Sequence, residues 1–180
     1  MSVISVPATI EDAPSASQPL LHAVHKQLGV VPNLFRMISN SPSALSAYLE
    51  LSGNLSKGQL PAAVREAIAL AIAELNQCKY CLSAHTYLAT NLVKVNESEI
   101  KANRQGLSAN PKTQAILEFA IAAASSRGVL SESSVNQVRA AGVNDAEIVE
   151  TIMHVALNIF TNYLNNAGKT VIDFPLAEPL

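Results

Sequence analysis

The chain has 180 residues, of which 49% are hydrophobic and 14% are charged, with a formal net charge of −2 at pH 7. This length is sufficient for one domain with a buried core, and the small charge gives no electrostatic reason to expect nucleic acid or an anionic membrane as a partner. The N-terminal residues lack the basic and apolar regions of a signal peptide. The longest wholly apolar run, residues 67–73, is too short to cross a bilayer. We therefore expect a cytoplasmic protein with no membrane or nucleic-acid partner.

The predicted elements are all helices. Proline, serine and asparagine mark the predicted starts, and glycine marks most of the stops. No segment alternates polar and apolar residues over a strand's length, so strands are not expected. The sequence predicts an irregular N-terminal arm over residues 1–16 and an all-α domain of about eight or nine helices over residues 17–175. In chain order, the predicted helices cover approximately residues 18–28, 32–40, 42–56, 61–75, 77–91, 96–106, 110–128, 131–142 and 144–168.

The chemically distinctive stretch is residues 76–85, Asn-Gln-Cys-Lys-Tyr-Cys-Leu-Ser-Ala-His. It contains the only two cysteines of the chain, Cys78 and Cys81, with His85 four residues after the second. If the segment is helical from residue 77, the three side chains fall at i, i+3 and i+7 and share one face. In a reducing compartment, such a pair indicates catalytic or metal-binding cysteines before a structural disulfide.

Glu66, on the predicted helix before this stretch, has apolar helical neighbours. Burial of a carboxylate is costly unless a partner compensates for its lost hydration. Two interpretations are open from spacing alone. The side chain either points to solvent beside Arg65, or turns inward to meet His85, where it would fix the tautomer of the imidazole and raise its basicity.

Two physical arguments disagree on which cysteine is the nucleophile. The start of a helix lowers the pKa of a thiol placed there, which favours Cys78. However, His85 lies one turn after Cys81 and two turns from Cys78, so an imidazole base would activate Cys81 and leave Cys78 to resolve the oxidised product. Local physics leaves the order open.

Metal binding is the main alternative to thiol redox chemistry. Cys78, Cys81 and His85 could be joined by Glu66 or His154 as a fourth zinc ligand. Structural zinc sites usually add a second Cys or His pair, and the sequence has none. A c-type haem would need histidine directly after the second cysteine, and a thioredoxin-type site would need a βαβ context. We favour thiol redox chemistry over a metal site or a structural role.

The last predicted helix has a polar face among apolar residues, for which a solvent-exposed surface is the more common explanation. A substrate pocket or a subunit contact is the alternative. The face comprises His154, Asn158, Thr161, Asn162 and Asn165. We expect His22 and His25 at the surface, and we expect the tyrosines to be packing residues with a polar end. The tyrosines are Tyr48, Tyr80, Tyr87 and Tyr163.

The spacing Glu66, Cys78-x-x-Cys81, x-x-x-His85 resembles the alkylhydroperoxidase D (AhpD)-like, peroxidase-related subgroup of the carboxymuconolactone decarboxylase superfamily. The likeness extends over about residues 25–175. It also includes Gly29-Val-Val-Pro-Asn-Leu-Phe-Arg36, Ser41-Pro-Ser-Ala-Leu-Ser-Ala-Tyr48, Arg65-Glu-Ala-Ile-Ala-Leu70, Arg139-Ala-Ala-Gly142 and Asn158-Ile-Phe-Thr-Asn162.

The resemblance implies a thiol-dependent peroxidase. Cys81 would attack a hydroperoxide and become a sulfenic acid, and Cys78 would donate a proton and then close the disulfide. His85, polarised by Glu66, would relay protons. The founding peroxidase type has a second histidine between the cysteines, where this chain has Tyr80.

The resemblance further implies no bound cofactor, an external reductant such as dihydrolipoamide or a protein thiol, and a homo-oligomer, either a trimer or a hexamer. Two other functions stay open on the same fold. One is a non-enzymatic thiol redox sensor or interaction module. The other is a carboxymuconolactone decarboxylase-like lyase, which the cysteine pair disfavours.

Overall fold

The computed structural model describes residues 2–180, and within that range it contains nine α-helices and no strand. The all-α prediction is therefore confirmed. No helix among the described residues is long and apolar enough to cross a membrane. The helices are α1 (Gln18–Leu28), α2 (Asn33–Ile38), α3 (Pro42–Leu55), α4 (Ala62–Leu75), α5 (Lys79–Leu88), α6 (Glu97–Arg104), α7 (Pro111–Ser125), α8 (Glu132–Ala140) and α9 (Asp145–Gly168), with a π-helical segment, Ala89–Val93, after α5.

Five of the helices begin at a serine or asparagine that caps the helix N-terminus. Each of these side chains accepts a hydrogen bond from the N–H group three residues later, which satisfies one of the amides that a helix leaves unpaired. The capping residues are Ser41, Asn96, Asn110, Ser131 and Asn144. At the start of α9 the Glu147 carboxylate also accepts from the Asn144 N–H, which completes a capping box.

The buried helix α4 organises the fold. It packs against α5, α6, α7 and α9, and every residue from Ala67 to Ala73 is buried. Four of these seven residues are alanines, whose small side chains let the neighbouring helices approach closely. Isoleucine and leucine at the positions between them fill the space among the helices. Glu66 lies on the first half of α4, and the cysteines lie just past its end. Because other helices pack against α4 on several sides, the backbone at these residues is well packed.

Helix α9 buries its polar face and exposes apolar side chains on the opposite face, which is the reverse of an ordinary surface helix. The prediction that its polar face is exposed to solvent is therefore wrong. All five residues of that face are at most 6% exposed, from His154 to Asn165. The opposite face exposes apolar side chains, namely Val149, Ile152, Met153, Phe160 and Tyr163. Hydrogen bonds satisfy part of this buried polar face, although His154, Asn162 and Asn165 each keep one side-chain atom without a partner within residues 2–180. The Asn158 amide donates to the His154 carbonyl, for example, and Asn162 accepts from Asn76.

The segments before α1 and after α9 lie along the helical body. On the N-terminal side, the Arg36 guanidinium donates to the Ala8 carbonyl at 2.8 Å. On the C-terminal side, the Arg104 guanidinium donates to the Glu178 carbonyl at 2.6 Å. The C-terminal residues cover part of α5 and so complete the surroundings of the cysteine motif.

The four tyrosines differ in environment. Tyr48 and Tyr80 pack as expected, since the ring of Tyr48 lies 5.6 Å from that of Phe35 and Tyr80 is buried. Tyr87 is partly exposed but still contacts an aromatic ring of the C-terminal segment. Tyr163 is 60% exposed on the outer face of α9, so its assignment as a packing residue is wrong for the single chain. His22 and His25 are exposed as predicted.

Candidate active site

The two cysteines lie at the junction between α4 and α5. Cys78 is the N-cap of α5, and its sulfur accepts a hydrogen bond from the Cys81 N–H at 3.2 Å. The two residues form a disulfide, with their Cα atoms 5.3 Å apart. The prediction of helix from residue 77 is therefore wrong at this end. A capping residue needs extended backbone to turn its side chain onto the first turn, and Cys78 has φ −86° and ψ 92°.

Gln77 directly before the motif adopts a left-handed backbone conformation, with φ 52°. It ends α4 in a turn in which the Cys78 N–H donates to the Ala73 carbonyl at 2.9 Å. Glycine adopts this conformation without the steric cost that a Cβ brings. We expect Gln77→Gly to raise the free energy of unfolding by roughly 0.5–1 kcal/mol, measured by urea denaturation of the reduced protein.

The matched control for this prediction is Gln77→Ala, which shortens the side chain but keeps the Cβ. It should give no comparable gain. A lower stability for Gln77→Gly than for Gln77→Ala would mean that backbone strain at this position is not what limits stability.

Glu66 and His85 form a hydrogen-bonded pair across α4 and α5. The His85 Nδ1 lies 2.8 Å from the Glu66 Oε2, and the two side chains are only 24% and 18% exposed. Of the two orientations open from the sequence, the structure therefore has the inward one. A carboxylate on Nδ1 fixes the ring and its tautomer, which leaves Nε2 as the nitrogen available for proton exchange.

A partly open cavity of about 230 Å³ lies beside these groups. Cys81, His85 and Glu66 contribute to its wall, and Cys78 does not. The remaining lining residues come from α2, α3, α4, α5 and α9 and the residue that follows α3: Leu34, Tyr48, Ser52, Ser56, Arg65, Ala69, Tyr80, Ala84, His154, Leu157, Asn158 and Thr161. Cys81, the motif histidine and its carboxylate thus share one cavity.

Helix α9 contributes polar groups to the site, which the sequence offered only as the less favoured alternative to a solvent-exposed face. His154, Asn158 and Thr161 line the cavity, and the Asn165 amide donates to the Cys81 sulfur at 3.4 Å. The signal was present in the sequence as a polar face at helical spacing. Periodicity shows that such residues share a face, but it does not show whether that face points to solvent or into a cavity.

His154 has an unusual environment. It is 6% exposed, and its Nε2 has no hydrogen-bond partner among residues 2–180. Burial lowers the pKa of this imidazole and the positive charge of Arg65 lowers it further, against the opposing effect of Glu150 and Glu66. The ring is therefore neutral at neutral pH, with one nitrogen able to donate and the other able to accept.

Tyr80 occupies the position between the cysteines. Its hydroxyl accepts a hydrogen bond from the Leu34 N–H at 3.2 Å, and its ring packs 5.8 Å from that of Phe174. Burial raises the pKa of Tyr80 well above its ordinary value, and burial together with Glu66 raises the pKa of Tyr48 to about 12. Both hydroxyls are un-ionised at neutral pH, so neither can serve there as an acid–base group of the kind that a histidine provides.

The donors proposed for a metal site do not converge. Across residues 2–180, no group of three or more His, Cys, Asp or Glu side chains is placed to hold a metal ion. Cys78, Cys81 and His85 are therefore not joined by either candidate fourth ligand, Glu66 or His154, in a metal-binding arrangement.

The fold is similar to several solved structures. An AhpD-core, peroxidase-related protein from Ralstonia eutropha JMP134 matches with a TM-score of 0.85 and 22% identity over 96% of this chain and 92% of its own. A peroxidase-related protein from Silicibacter sp. TM1040 matches with a TM-score of 0.82 and 21% identity over 94% and 91%. The debrominase Bmp8, as a cysteine-to-alanine variant in complex with 2,3,4-tribromopyrrole, matches with a TM-score of 0.79 and 23% identity over 96% and 94%.

At these identities the structural likeness establishes the fold alone. The sequence profile of the carboxymuconolactone decarboxylase family matches residues 42–109, which include Glu66, both cysteines and His85. Residues 42–109 of the chain thus match the carboxymuconolactone decarboxylase family, and the chain as a whole has an AhpD-like fold. Among curated proteins, no sequence matches it significantly.

The family match divides the cavity of this AhpD-like protein into two parts. Residues 42–109 span α3 to α6 and supply the disulfide, the Glu66–His85 pair and Arg65. Helix α9 lies outside the matched segment and supplies His154, Asn158 and Thr161. The thiol groups thus belong to the part that the family profile describes, and this polar wall belongs to the part that it does not.

Proposed function

We propose that this AhpD-like protein is a thiol-dependent oxidoreductase that reduces organic hydroperoxides by oxidising Cys78 and Cys81 to a disulfide. One observation carries the proposal. Cys81 lines a cavity together with His85, whose imidazole is held by Glu66 at 2.8 Å. Nucleophilic catalysis by a cysteine requires a reactive sulfur, a base positioned to accept its proton, and space for the substrate.

In the first step, the Cys81 thiolate attacks the outer oxygen of the hydroperoxide. The O–O bond breaks, Cys81 becomes a sulfenic acid, and the leaving alkoxide takes a proton to become an alcohol. In the second step, the Cys78 sulfur attacks the sulfenic sulfur and releases water as the disulfide forms. One hydroperoxide and two thiols therefore give one alcohol, one water and one disulfide. His85 accepts the proton of the Cys81 thiol, and Glu66 stabilises the imidazolium.

The position of the sulfurs supports Cys81 as the attacking residue. Cys81 lies in the cavity wall, whereas Cys78 is fully buried and does not line it. Cys78 in turn lies at the N-terminus of α5 as its cap, where partial positive charge stabilises a thiolate. A stabilised Cys78 thiolate suits the resolving step, because the resolving sulfur must attack without a histidine of its own.

Two further parts of the proposal concern partners. An external dithiol, such as dihydrolipoamide or a protein thiol, reduces the disulfide and restores the dithiol. The chain also assembles as a homo-oligomer, a trimer or a hexamer, for which the exposed apolar face of α9 is the supporting feature.

The direct test begins with the reduced protein and one equivalent of cumene hydroperoxide. We expect the loss of two free thiols per chain and the formation of one equivalent of alcohol, followed by repeated turnover when dihydrolipoamide is added. No thiol loss would remove the proposal. Thiol loss without turnover by any dithiol, together with a change in oligomeric state, would indicate a redox sensor instead.

Reductive dehalogenation is a second candidate, because it draws two electrons from the same dithiol. A bromoarene and two thiols would give an arene, a disulfide and hydrogen bromide. The cavity is larger than hydrogen peroxide requires, and Tyr48, Tyr80 and Leu34 form part of its wall. Bromide release from 2,3,4-tribromopyrrole, measured beside hydroperoxide consumption, distinguishes the two reactions.

A further inference from the structure

Arg65 brings a positive charge to the cavity that no carboxylate in the described chain neutralises. Its Nη1 donates to the Leu60 carbonyl at 2.6 Å, and no Asp or Glu oxygen among residues 2–180 lies within 4.0 Å of its guanidinium nitrogens. The side chain is half-buried and lines the cavity. A guanidinium has five N–H donors, so one main-chain contact leaves most of its donor capacity for a ligand.

Glu66 and Glu150, the two carboxylates whose charges act on His154, have other partners. Glu66 is held by His85 at 2.8 Å. Glu150 of α9 accepts from the N–H groups of Gln59 and Leu60, at 2.9 Å and 3.0 Å. Each carboxylate therefore has hydrogen-bond donors of its own, and neither uses the N–H donors of the Arg65 guanidinium.

The polar wall from α9 supplies neutral hydrogen-bonding groups in the same cavity. His154, Asn158 and Thr161 are each at most 6% exposed, and the imidazole Nε2 of His154 has no partner within residues 2–180. A buried polar atom without a partner is uncommon in folded proteins, and it is consistent with a site whose partner is a ligand.

The rest of the wall is largely apolar, with Ser52 and Ser56 adding two hydroxyl groups. Leu34, Ala69, Ala84 and Leu157 line the cavity together with the ring of Tyr48. A molecule that matches this lining has a hydrocarbon body with a charged end. Hydrogen peroxide and purely hydrocarbon hydroperoxides match only part of it.

We propose that the cavity selects organic hydroperoxides that carry a carboxylate, with Arg65 binding the carboxylate and His154 donating a hydrogen bond to the substrate, while the hydroperoxide group faces Cys81. The selection rests on the proposed function and names its substrate class. A guanidinium–carboxylate contact is charge-assisted and often bidentate, so it contributes specificity as well as affinity.

A binding experiment tests the carboxylate site without any turnover. The oxidised wild-type protein is titrated calorimetrically with benzoate and with benzamide, which has a similar shape and no charge. We expect benzoate to bind about tenfold to a hundredfold more tightly, and Arg65→Gln to remove that preference. The control is Arg127→Gln, which makes the same change in charge at an exposed residue and should leave the preference intact.

Arg65→Lys keeps the positive charge. It distinguishes a binding preference lost with the charge from one lost through altered structure around Leu60. It should retain part of the preference, and all variants are compared by circular dichroism and melting temperature. Equal binding of benzoate and benzamide by the wild-type protein would overturn the proposal. An unchanged preference in Arg65→Gln would overturn the role of this residue.

Measurements of turnover then test the proposed substrate class separately from the proposed peroxidase reaction. Cumene hydroperoxide is compared with its 4-carboxy derivative, and we expect a lower KM for the carboxylate in the wild-type protein and no difference in Arg65→Gln. Equal kcat/KM for both hydroperoxides would overturn the selection while leaving the peroxidase function standing. Benzoate binding without consumption of either hydroperoxide would overturn the peroxidase function and leave the anion site standing.

Discussion

Cys81→Ser is expected to abolish steady-state hydroperoxide turnover, with a loss on the order of a thousandfold or more, because the attacking sulfur is removed. Without added dithiol, Cys78→Ser should instead allow one oxidation per chain and then stop, because the sulfenic acid at Cys81 has no neighbouring sulfur to resolve it. The measurements are hydroperoxide consumption with excess dithiol, and mass spectrometry of the chain after trapping with dimedone.

The Cys78→Ser variant also serves as a control for folding. Serine is a good N-cap residue, so its hydroxyl can accept the Cys81 N–H in place of the sulfur. A dimedone adduct on Cys78 in the Cys81→Ser protein, with none on Cys81 in the Cys78→Ser protein, would reverse the order of the two cysteines. Full turnover in Cys81→Ser would end the mechanism proposed for this site.

His85→Gln is expected to lower kcat/KM by roughly 10²–10⁴, because it removes the base that activates Cys81. Glu66→Gln should act in the same direction with a smaller loss, since the ring stays in place but its cation loses the carboxylate 2.8 Å away. The double variant should be little worse than His85→Gln alone, because the two residues act as one unit.

The matched control for the Glu66–His85 pair is Glu118→Gln, which removes the same charge from an exposed position on α7. It should leave kcat/KM unchanged. Independent, multiplicative losses in Glu66→Gln and His85→Gln would contradict a shared role. In that case the carboxylate would contribute to the site by another route than the imidazole.

The helices could be predicted because their signals are local. Ser41, Asn96, Asn110, Ser131 and Asn144 each cap the helix that was expected to follow. A cap depends on a few neighbouring residues, so it can be recognised without the rest of the fold.

The pairing of Glu66 with His85 could be proposed but not decided from the sequence. Spacing gives the position of each residue on its own helix, and the angle between α4 and α5 determines whether the two meet. The structure settles it with a 2.8 Å contact. The exact start of α5 at Cys78 could not be predicted for a similar reason. Cys78 has the same spacing to Cys81 whether it caps the helix or lies in its first turn, so spacing does not distinguish the two.

The orientation of α9 was beyond local reasoning. His154 and Asn158 lie on a polar face, and polar faces usually meet water. Here that face is buried, while Val149 and Tyr163 on the opposite side are about 60% exposed. Only the packed arrangement of α4, α5 and α9 shows that the polar residues surround a cavity.

The burial of the disulfide has a kinetic consequence in the proposed cycle. Cys81 is 3% exposed and Cys78 is 0% exposed, so a dithiol can reach the oxidised pair only through the cavity that also admits the hydroperoxide. Oxidant and reductant must then enter in turn, and initial-rate plots should give the parallel lines of a ping-pong scheme. Each reactant in excess should compete with the other for the same entrance, so high dithiol concentrations should slow the proposed turnover, and slender reductants should outperform bulky ones.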